Sequence, residues 1–392
     1  MIKGGASLDP AGKRGTAAIN ASMMNEGTAL HSAVEVEQSL KKLGASARVD
    51  SDKEYTTITI SSLSKNLPAV MDIVTEMVTL PKFDEEAFGR AVQSQKSTIA
   101  RAKSSITSIG SRTASKLWMG DCLYSDNAAD ESIDAITMDD VKAYYKTLTP
   151  KNASVEVAGD VDQKTLMKAL ASLEKWQGGD VTIPEIKLGK SADAGLYFVD
   201  FPGSKQSYIF IIGPGMDYNN PDYHKLDVLN RKLGAGSSGR LFEVLRLQRG
   251  YTYGASSAYR PYKDYGYFQA ASSVQGSSTK ESVALFKEIF STFAPAYTQD
   301  MLDGVKASML RANASAFETT QSLVNMLRTI RMDNLSDDFI AKEEAVVDAT
   351  SLDDIKALAM EYLDVNKMII VVVGDAATQL KNLPEAKLIA AE

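Results

Sequence analysis

Residue types that commonly do chemistry in enzymes are scarce in this chain. Its 392 residues include two histidines, His31 and His224, and one cysteine, Cys122. A catalytic zinc ion usually takes three protein ligands, most of them His, and an intrachain disulfide needs a second cysteine. The composition therefore disfavours a zinc enzyme and excludes an intrachain disulfide. Both histidines are expected to be solvated or locally hydrogen-bonded rather than to bind a metal.

The densest candidate site lies in LGAGSSGRLFEVLRLQRGYTYGASSAY, residues 233–259. A helix is predicted over 238–248, with Ser237 or Ser238 as its cap and Gly250 as its stop. A strand rich in tyrosine follows. The pattern indicates a helix–glycine–strand corner.

Two side chains of this corner could act on a peptide. Arg246 would lie in the last helical turn and Tyr253 at the start of the strand. Arginine donates to carbonyl or carboxylate oxygens, and tyrosine can donate to a developing oxyanion. The alternative is structural: Arg246 would complement the helix dipole, and Tyr253 would pack on a sheet face.

The glycine-rich stretch LGAGSSG is not a phosphate-binding loop. It lacks both G-x-x-x-x-G-K-[ST] and G-x-G-x-x-G, and it connects two predicted helices rather than following a strand. It is interpreted as a flexible turn with a helix cap. The nearby tyrosines at 251, 253, 259, 262, 265 and 267 either form a binding wall or are β-formers on a partly exposed sheet.

In the rest of the chain, hydrophobic periodicity predicts alternating helices and strands. In the first half, Ser32 and Glu35 form a capping box for a helix that ends at Gly44. The other elements of this half are a strand over 55–60, helices over 67–80, 84–105 and 139–147, and a strand over 154–158. In the second half, helices are predicted over 222–233, 280–295, 299–330 and 352–363, with strands near 252–259, 265–273 and 368–373.

The two halves resemble each other. ITMDDVKAYYKTLTPKNASVEVAGDV (136–161) matches ATSLDDIKALAMEYLDVNKMIIVVVGDA (349–376), and GASARVDSDKEYTTITISSL (44–63) matches GASSAYRPYKDYGYFQAASSV (254–274). The offset is about half the chain, far longer than a solenoid repeat. The chain is therefore interpreted as two copies of one α+β domain, joined by a linker over 176–194.

Charge and hydropathy exclude two classes of partner. The chain has 43 Lys and Arg against 50 Asp and Glu, a net charge of −7, so no basic stripe is present to meet nucleic acid. No apolar run approaches the about 18 residues of a membrane-spanning helix. The first residues, MIKGGASLDP, lack the apolar core of a signal peptide.

With the duplication and the corner established, the chain resembles the M16 (pitrilysin/insulinase-type) peptidase family, specifically its two-domain M16B-like halves. The matching stretches are GASLDPAGKRGTA (5–17), NEGT (25–28), FDEEAFGRA (83–91) and above all SSGRLFEVLRLQRGYTYGASSAY (237–259). The resemblance covers essentially the whole chain. It implies an α+β fold of two homologous α/β-sandwich domains over 1–180 and 195–392, the first with a shortened first strand.

The chain departs from the family at the metal site. Active members bind zinc through H-x-x-E-H, shortly before a Gly-Thr pair that falls here on residues 27–28. The three chemical positions of that motif become Ala18, Ala21 and Ser22, which cannot form a zinc site or a general base. The helix expected to supply the last ligand has no acid over 90–105. The resemblance therefore implies a half that is inactive alone and holds no metal, with zinc in a partner.

In this family the half without zinc contributes an Arg/Tyr pair, R-x(6)-Y, to its partner's active site. The pattern falls on Arg246 and Tyr253, which favours the functional interpretation of both. Arg249 matches a family arginine but is given no catalytic role. The implied partners are an unfolded peptide and a zinc-bearing subunit, or a zinc-bearing half of a longer chain.

Two rival functions remain open. One is a purely structural role, as in M16-like core proteins of respiratory complexes. The other is an independent enzyme, for which the sequence offers no nucleophile–base pair or cofactor loop. A periplasmic location fits the resemblance, and self-association in the partner's absence stays open.

Overall fold

The structure, a computed structural model, describes the backbone of residues 1–392 and every side chain except those of 313–315. The chain forms two compact units, residues 1–102 with 122–188 and residues 103–121 with 189–392. The stretch 176–194, predicted as a linker, forms neither helix nor strand and contains the passage from the first unit to the second. The expected domains, 1–180 and 195–392, differ from this division in the assignment of 103–121.

The strands are β1 (Ile2–Lys3), β2 (Ser46–Ser51), β3 (Tyr55–Ser61), β4 (Gly195–Asp200), β5 (Gln206–Pro214), β6 (Thr252–Pro261), β7 (Gly266–Gln275), β8 (Ile369–Gly374) and β9 (Lys387–Ile389). The helices are α1 (Thr16–Met24), α2 (Ala33–Lys42), α3 (Leu67–Thr79), α4 (Glu85–Lys103), α5 (Ile106–Met119), α6 (Asp130–Asp134), α7 (Met138–Tyr145), α8 (Gln163–Leu170), α9 (Tyr223–Leu233), α10 (Arg240–Phe242), α11 (Thr279–Ala296), α12 (Gln299–Ser315), α13 (Thr320–Met332), α14 (Phe339–Ala349), α15 (Leu352–Tyr362) and α16 (Ala376–Gln379). A π-helical turn, Glu243–Gln248, continues α10. Among the described helices, none is both long and apolar enough to cross a bilayer.

The first unit has a three-stranded antiparallel sheet in the order β1-β3-β2. α2 begins at the predicted capping box, in which Glu35 N donates to Ser32 Oγ at 3.3 Å and Ser32 N donates to Glu35 Oε2 at 2.8 Å. α1 is buried on two sides: Ala17, Ala21 and Met24 belong to one apolar cluster and Ile19 and Met23 to another.

The second unit has a six-stranded mixed sheet in the order β6-β7-β5-β8-β4-β9. All six residues of β8 are buried, as expected for a strand covered on both faces. One face packs on an apolar cluster that includes residues of α9, α11 and α15, and the other packs on residues of α5.

Each unit repeats one helix start, as the duplication predicts. Thr137 caps α7 through a box with Asp140, and Ser351 caps α15 through a box with Asp354. Each aspartate also pairs with a lysine, Lys13 Nζ at 2.6 Å from Asp140 and Lys225 Nζ at 3.2 Å from Asp354 (the nearer Oδ in each case). The predicted α+β class with two related domains is confirmed.

Two predicted elements are wrong. Residues 154–158 form no strand, because the backbone pairing of this segment with the first residues is limited to 153 and 154. The predicted helix over 299–330 is two helices, because Thr319 begins a new one by accepting a hydrogen bond from Ser322 N at 3.1 Å.

Candidate functional site

Ala18, Ala21 and Ser22, the positions to which the resemblance assigns the zinc motif, lie on α1 and have small side chains. Ala21 is 3% exposed and packs in the core of the first unit. The hydroxyl of Ser22 donates to the carbonyl of Ala18, one turn earlier in the same helix, at 3.0 Å. Two methyl groups and one hydroxyl bonded to its own helix do not fit a zinc ion, which takes imidazole, thiolate or carboxylate ligands.

The rest of the described chain offers no replacement set. No three His, Cys, Asp or Glu side chains among those described lie close enough together to hold a metal ion.

The two histidines occupy opposite environments. The half-exposed ring of His31 lies with Nδ1 2.8 Å from Glu76 Oε1, and this bonded carboxylate raises the pKa of His31. The ring of His224 is 8% exposed and lies against Tyr223 and Phe339. Burial lowers the pKa of His224 to about 4. The expected local bond is confirmed for His31, whereas His224 is a core residue.

The glycine-rich turn before α10 fits closely against β6. Gly234 accepts a hydrogen bond from Ser257 N at 3.0 Å, and a Cβ on Gly234 would lie 2.3 Å from Ser257 Oγ. A Cβ on Gly239 would lie 2.8 Å from the Gly234 Cα. The predicted cap at Ser237 or Ser238 is wrong: the N-cap is Gly239, because the turn brings its backbone rather than a serine to the helix start.

The helix that carries Arg246 ends in π-helical geometry. Arg249 N donates to Val244 O at 3.1 Å, and Tyr251 N donates to Leu245 O at 3.0 Å. Gly250 then turns the chain with a φ of 69°, a conformation that favours glycine, as predicted for the helix stop. Single π-helical turns recur at functional sites. Here the wide turn carries Arg246 and leads directly into β6.

A bulge at the start of β6 sets the direction of Tyr253. The pairing with β7 shifts between Thr252 and Ala255, so two residues of β6 stand opposite one residue of β7. Thr252 Oγ1 braces the bulge: it accepts from Gly254 N at 3.0 Å and donates to Ser273 O at 2.6 Å. Bulges re-aim side chains near the ends of strands.

The structure brings Arg246 and Tyr253 together. The guanidinium carbon lies 5.0 Å from the centre of the Tyr253 ring, within the range of a cation–π contact. Arg246 Nη1 also donates to Thr252 O at 3.3 Å. The Tyr253 side chain is 83% exposed, so it does not pack on a sheet face as the structural alternative required.

The other tyrosines of this region lie in different environments. Tyr259 is buried in the core. Tyr262 and Tyr265 stack with ring centres 4.5 Å apart, and Tyr267 stacks beside them. Tyr259 is thereby excluded from the predicted binding wall. Sequence reasoning missed Thr252 and Ser272, whose hydroxyls bond each other at 3.0 Å inside the bulge.

Comparison with known proteins identifies the family of the chain. Residues 1–116 match the family model for insulinase (peptidase family M16), and residues 135–309 match the model for the peptidase M16 inactive domain. The chain therefore belongs to the M16 peptidase family, as the sequence motifs predicted.

Named relatives fall on both sides of the question of activity. The chain is 24% identical to an uncharacterized zinc protease of Streptomyces coelicolor, over 87% of this chain and 76% of that protein. It is 26% identical to the non-peptidase homolog YmxG of Helicobacter pylori, over 83% of this chain and 76% of that protein.

Solved structures share the fold. A peptidase M16 inactive domain from Pseudomonas fluorescens superposes with a TM-score of 0.87 at 23% identity, over 96% of this chain and 92% of that one. A chain of complex III from Candida albicans gives a TM-score of 0.73 at 14% identity, over 98% of this chain and 93% of that one.

Proposed function

We propose that this chain is the non-catalytic subunit, or half, of an M16-type zinc peptidase. It closes the peptide chamber of a zinc-bearing partner and presents Arg246 and Tyr253 to the substrate. The observation that carries the proposal is the pair itself, a guanidinium and a phenol in contact at 5.0 Å with the phenol 83% exposed.

The exposed side chain of Tyr253 lacks the stabilisation that burial would give it. This supports a role for Tyr253 in binding. A fully buried large apolar side chain contributes about 1.5–3 kcal/mol, and Tyr253 forgoes most of this while the bulge holds it outward. The phenol can donate a hydrogen bond, and the adjacent guanidinium can itself bind a carbonyl oxygen. Together they suit a peptide whose carbonyl gains negative charge during cleavage.

The roles of this chain and its partner follow from the side chains that this chain has. The positions of Ala18, Ala21 and Ser22 supply no metal ligand and no general base. A water-activating zinc ion and the base must therefore come from a partner that carries H-x-x-E-H. This chain's residues orient the peptide and stabilise charge, and selection rests on the extended shape of the substrate.

The test measures zinc content and cleavage of a fluorogenic peptide. Both are determined for this chain, for an H-x-x-E-H subunit, and for their mixture. We expect neither stoichiometric zinc nor cleavage from this chain alone, and cleavage once the two are mixed. Cleavage by this chain alone would overturn the proposal.

In the complex, Arg246→Ala and Tyr253→Phe should each lower kcat by about 10- to 100-fold, because each removes a donor aimed at developing charge. Assembly, followed by size-exclusion chromatography, should be unaffected. Arg249→Ala and Tyr251→Phe are the matched controls from the same corner and should leave kcat unchanged. Equal kcat values in all four variants would remove the pair from the site.

The second candidate function is a scaffold without peptidase activity. The likeness in fold to a chain of complex III favours it. A scaffold would form a stable complex whose properties do not respond to Arg246→Ala or Tyr253→Phe. The same variants therefore separate the two functions.

A further inference from the structure

A glycine lies beside the exposed tyrosine in the bulge of β6. Gly254 follows Tyr253 directly, and these two residues stand opposite Ser273 of β7. Both are exposed. Glycine destabilises a strand relative to alanine, because it loses more conformational freedom on folding and has no side chain to pack. A glycine inside a strand therefore indicates a local requirement that alanine does not meet.

The other glycines in strands have such a requirement within the chain. Five glycines lie in the described strands. Gly195 has a φ of 152°, a conformation that residues with a side chain rarely adopt. At the three others a Cβ would lie closer than 3.0 Å to an atom of another residue: to Met368 Cγ at Gly213, to Met216 O at Gly266 and to Ser207 Oγ at Gly374.

Neither cause applies to Gly254 within the part of the chain that the structure describes. Its φ lies outside the left-handed region, so it is not the glycine of a bulge that needs a positive φ. Leaving aside its two chain neighbours, no described residue has an atom within 4 Å of a Cβ placed on Gly254. The remaining reason for a glycine in a strand is the close approach of a ligand to its backbone.

The surface that Gly254 presents to a ligand is apolar. Its N–H donates to Thr252 Oγ1 at 3.0 Å, and its carbonyl oxygen accepts from Ser272 Oγ at 2.9 Å. Both polar groups are therefore bonded inside the bulge. What remains for an outside contact is the Cα methylene group.

The ring of Tyr253 provides a second apolar surface next to this methylene group. The Arg246 guanidinium lies over one face of the ring, with its carbon 5.0 Å from the ring centre. Since the Tyr253 side chain is 83% exposed, the opposite face is open to solvent. Aromatic faces pack well against large apolar and aromatic side chains.

We propose that Gly254 and the open ring face of Tyr253 form a subsite for one large apolar side chain of the peptide. The absence of a side chain at Gly254 leaves room for that group, and the ring forms its wall. The inference rests on the proposed function and adds a side-chain preference to selection by extended shape. Gly254 is thus a specificity-determining residue, and the subsite lies close to the cleaved bond because Tyr253 takes part in both.

The test measures kcat/KM for the complex of this chain with an H-x-x-E-H subunit. The substrates are fluorogenic peptides that carry Phe, Leu, Ala or Asp at each position in turn. With the native chain, one position should prefer Phe or Leu to Asp by about tenfold or more, the gain expected from burying a large apolar side chain. In Gly254→Val this preference should fall to about twofold or less, while preferences at the other positions stay unchanged.

Two further variants separate loss of the subsite from a folding defect. Gly254→Ala should reduce the preference by less than Gly254→Val does, because it adds a smaller group. The Tm of the chain alone should not fall in either variant, since the added atoms meet open space. Gly304→Ala is the matched control: it adds a methyl group at another open position of the second unit and should keep the native preference.

Each possible outcome decides the matter. An unchanged preference in Gly254→Val, together with a lower kcat in Arg246→Ala, would overturn the subsite and leave the proposed function standing. A kcat/KM that falls equally for every peptide would also overturn the subsite, since Gly254 would then act only on the direction of Tyr253. If no mixture cleaves a peptide, the proposed function and the subsite are both wrong.

Discussion

At the scale of single residues, burial of His224 links stability to pH. Its folded-state pKa of about 4 lies below the ordinary value of 6.5, because burial disfavours the charged ring. Between pH 4 and pH 6.5, His224 is therefore protonated in the unfolded chain and neutral in the folded chain. Stability from this residue is fully present above pH 6.5 and is lost as the pH falls towards 4.

His224→Phe should remove this dependence, since phenylalanine suits the apolar ring cluster and has no proton to bind. Between pH 7 and pH 4.5, the free energy of unfolding of the native chain should fall by about 2 kcal/mol more than that of the variant. Urea denaturation at several pH values measures the difference. Parallel curves for the two proteins would contradict the assignment.

The other histidine provides a control of opposite sign. The bonded carboxylate of Glu76 raises the pKa of His31, so its contribution is present below pH 6.5 and is lost as the pH rises through the raised value. His31→Gln should therefore weaken stability at low pH relative to high pH, the reverse of His224→Phe.

At the scale of elements, the bulge of β6 decides where Tyr253 points. Thr252 is 5% exposed and its hydroxyl bonds Gly254, Ser272 and Ser273. Thr252→Val keeps the shape and removes the hydroxyl, which leaves buried partners unsatisfied. We expect a loss of about 1–3 kcal/mol in the free energy of unfolding.

Thr252→Ser retains the hydroxyl and should recover most of that loss. In the complex with a zinc-bearing partner, Thr252→Val should also lower kcat, because Tyr253 is no longer held in one direction. Stability is measured by urea denaturation and kcat by peptide cleavage. A Thr252→Val variant with unchanged stability would show that the bulge needs no brace.

The elements also show what periodicity can and cannot predict. α2, α3, α9 and α15 have one apolar stripe each, and their positions were predicted within a few residues. α1 was missed because it is buried on two sides and has no polar face. The segment 154–158 alternates like a strand, but a strand also needs a paired neighbour, and that depends on the register of distant residues.

The candidate site also has one feature that the sequence predicted and one that it could not predict. The approach of Arg246 to Tyr253 was predicted from a helix, a glycine stop and a strand in sequence. The bulge could not be predicted, because it arises from the register of β6 on β7. Exposure of Tyr253 follows from the bulge, so its local sequence alone did not indicate it.

At the scale of the whole molecule, the two compact units do not follow the order of the sequence. α5 lies between two parts of the first unit in sequence, yet it packs on β5 and β8 of the second. Contact is close at Gly110, where a Cβ would lie 2.6 Å from the Tyr208 ring and 3.2 Å from the Val373 side chain. Glycine is required there because the helix approaches the sheet within the reach of a methyl group.

Gly110→Ala should therefore destabilise the second unit by about 1–3 kcal/mol through overpacking. Hydrogen–deuterium exchange should rise in β5 and β8 and stay unchanged in β2 and β3. Gly89→Ala in α4 is the matched control: no atom lies within 4 Å of the added methyl group, so it should stabilise its helix by up to about 1 kcal/mol. Faster exchange in β2 and β3 of the Gly110→Ala protein, with β5 and β8 unchanged, would assign α5 to the first unit instead.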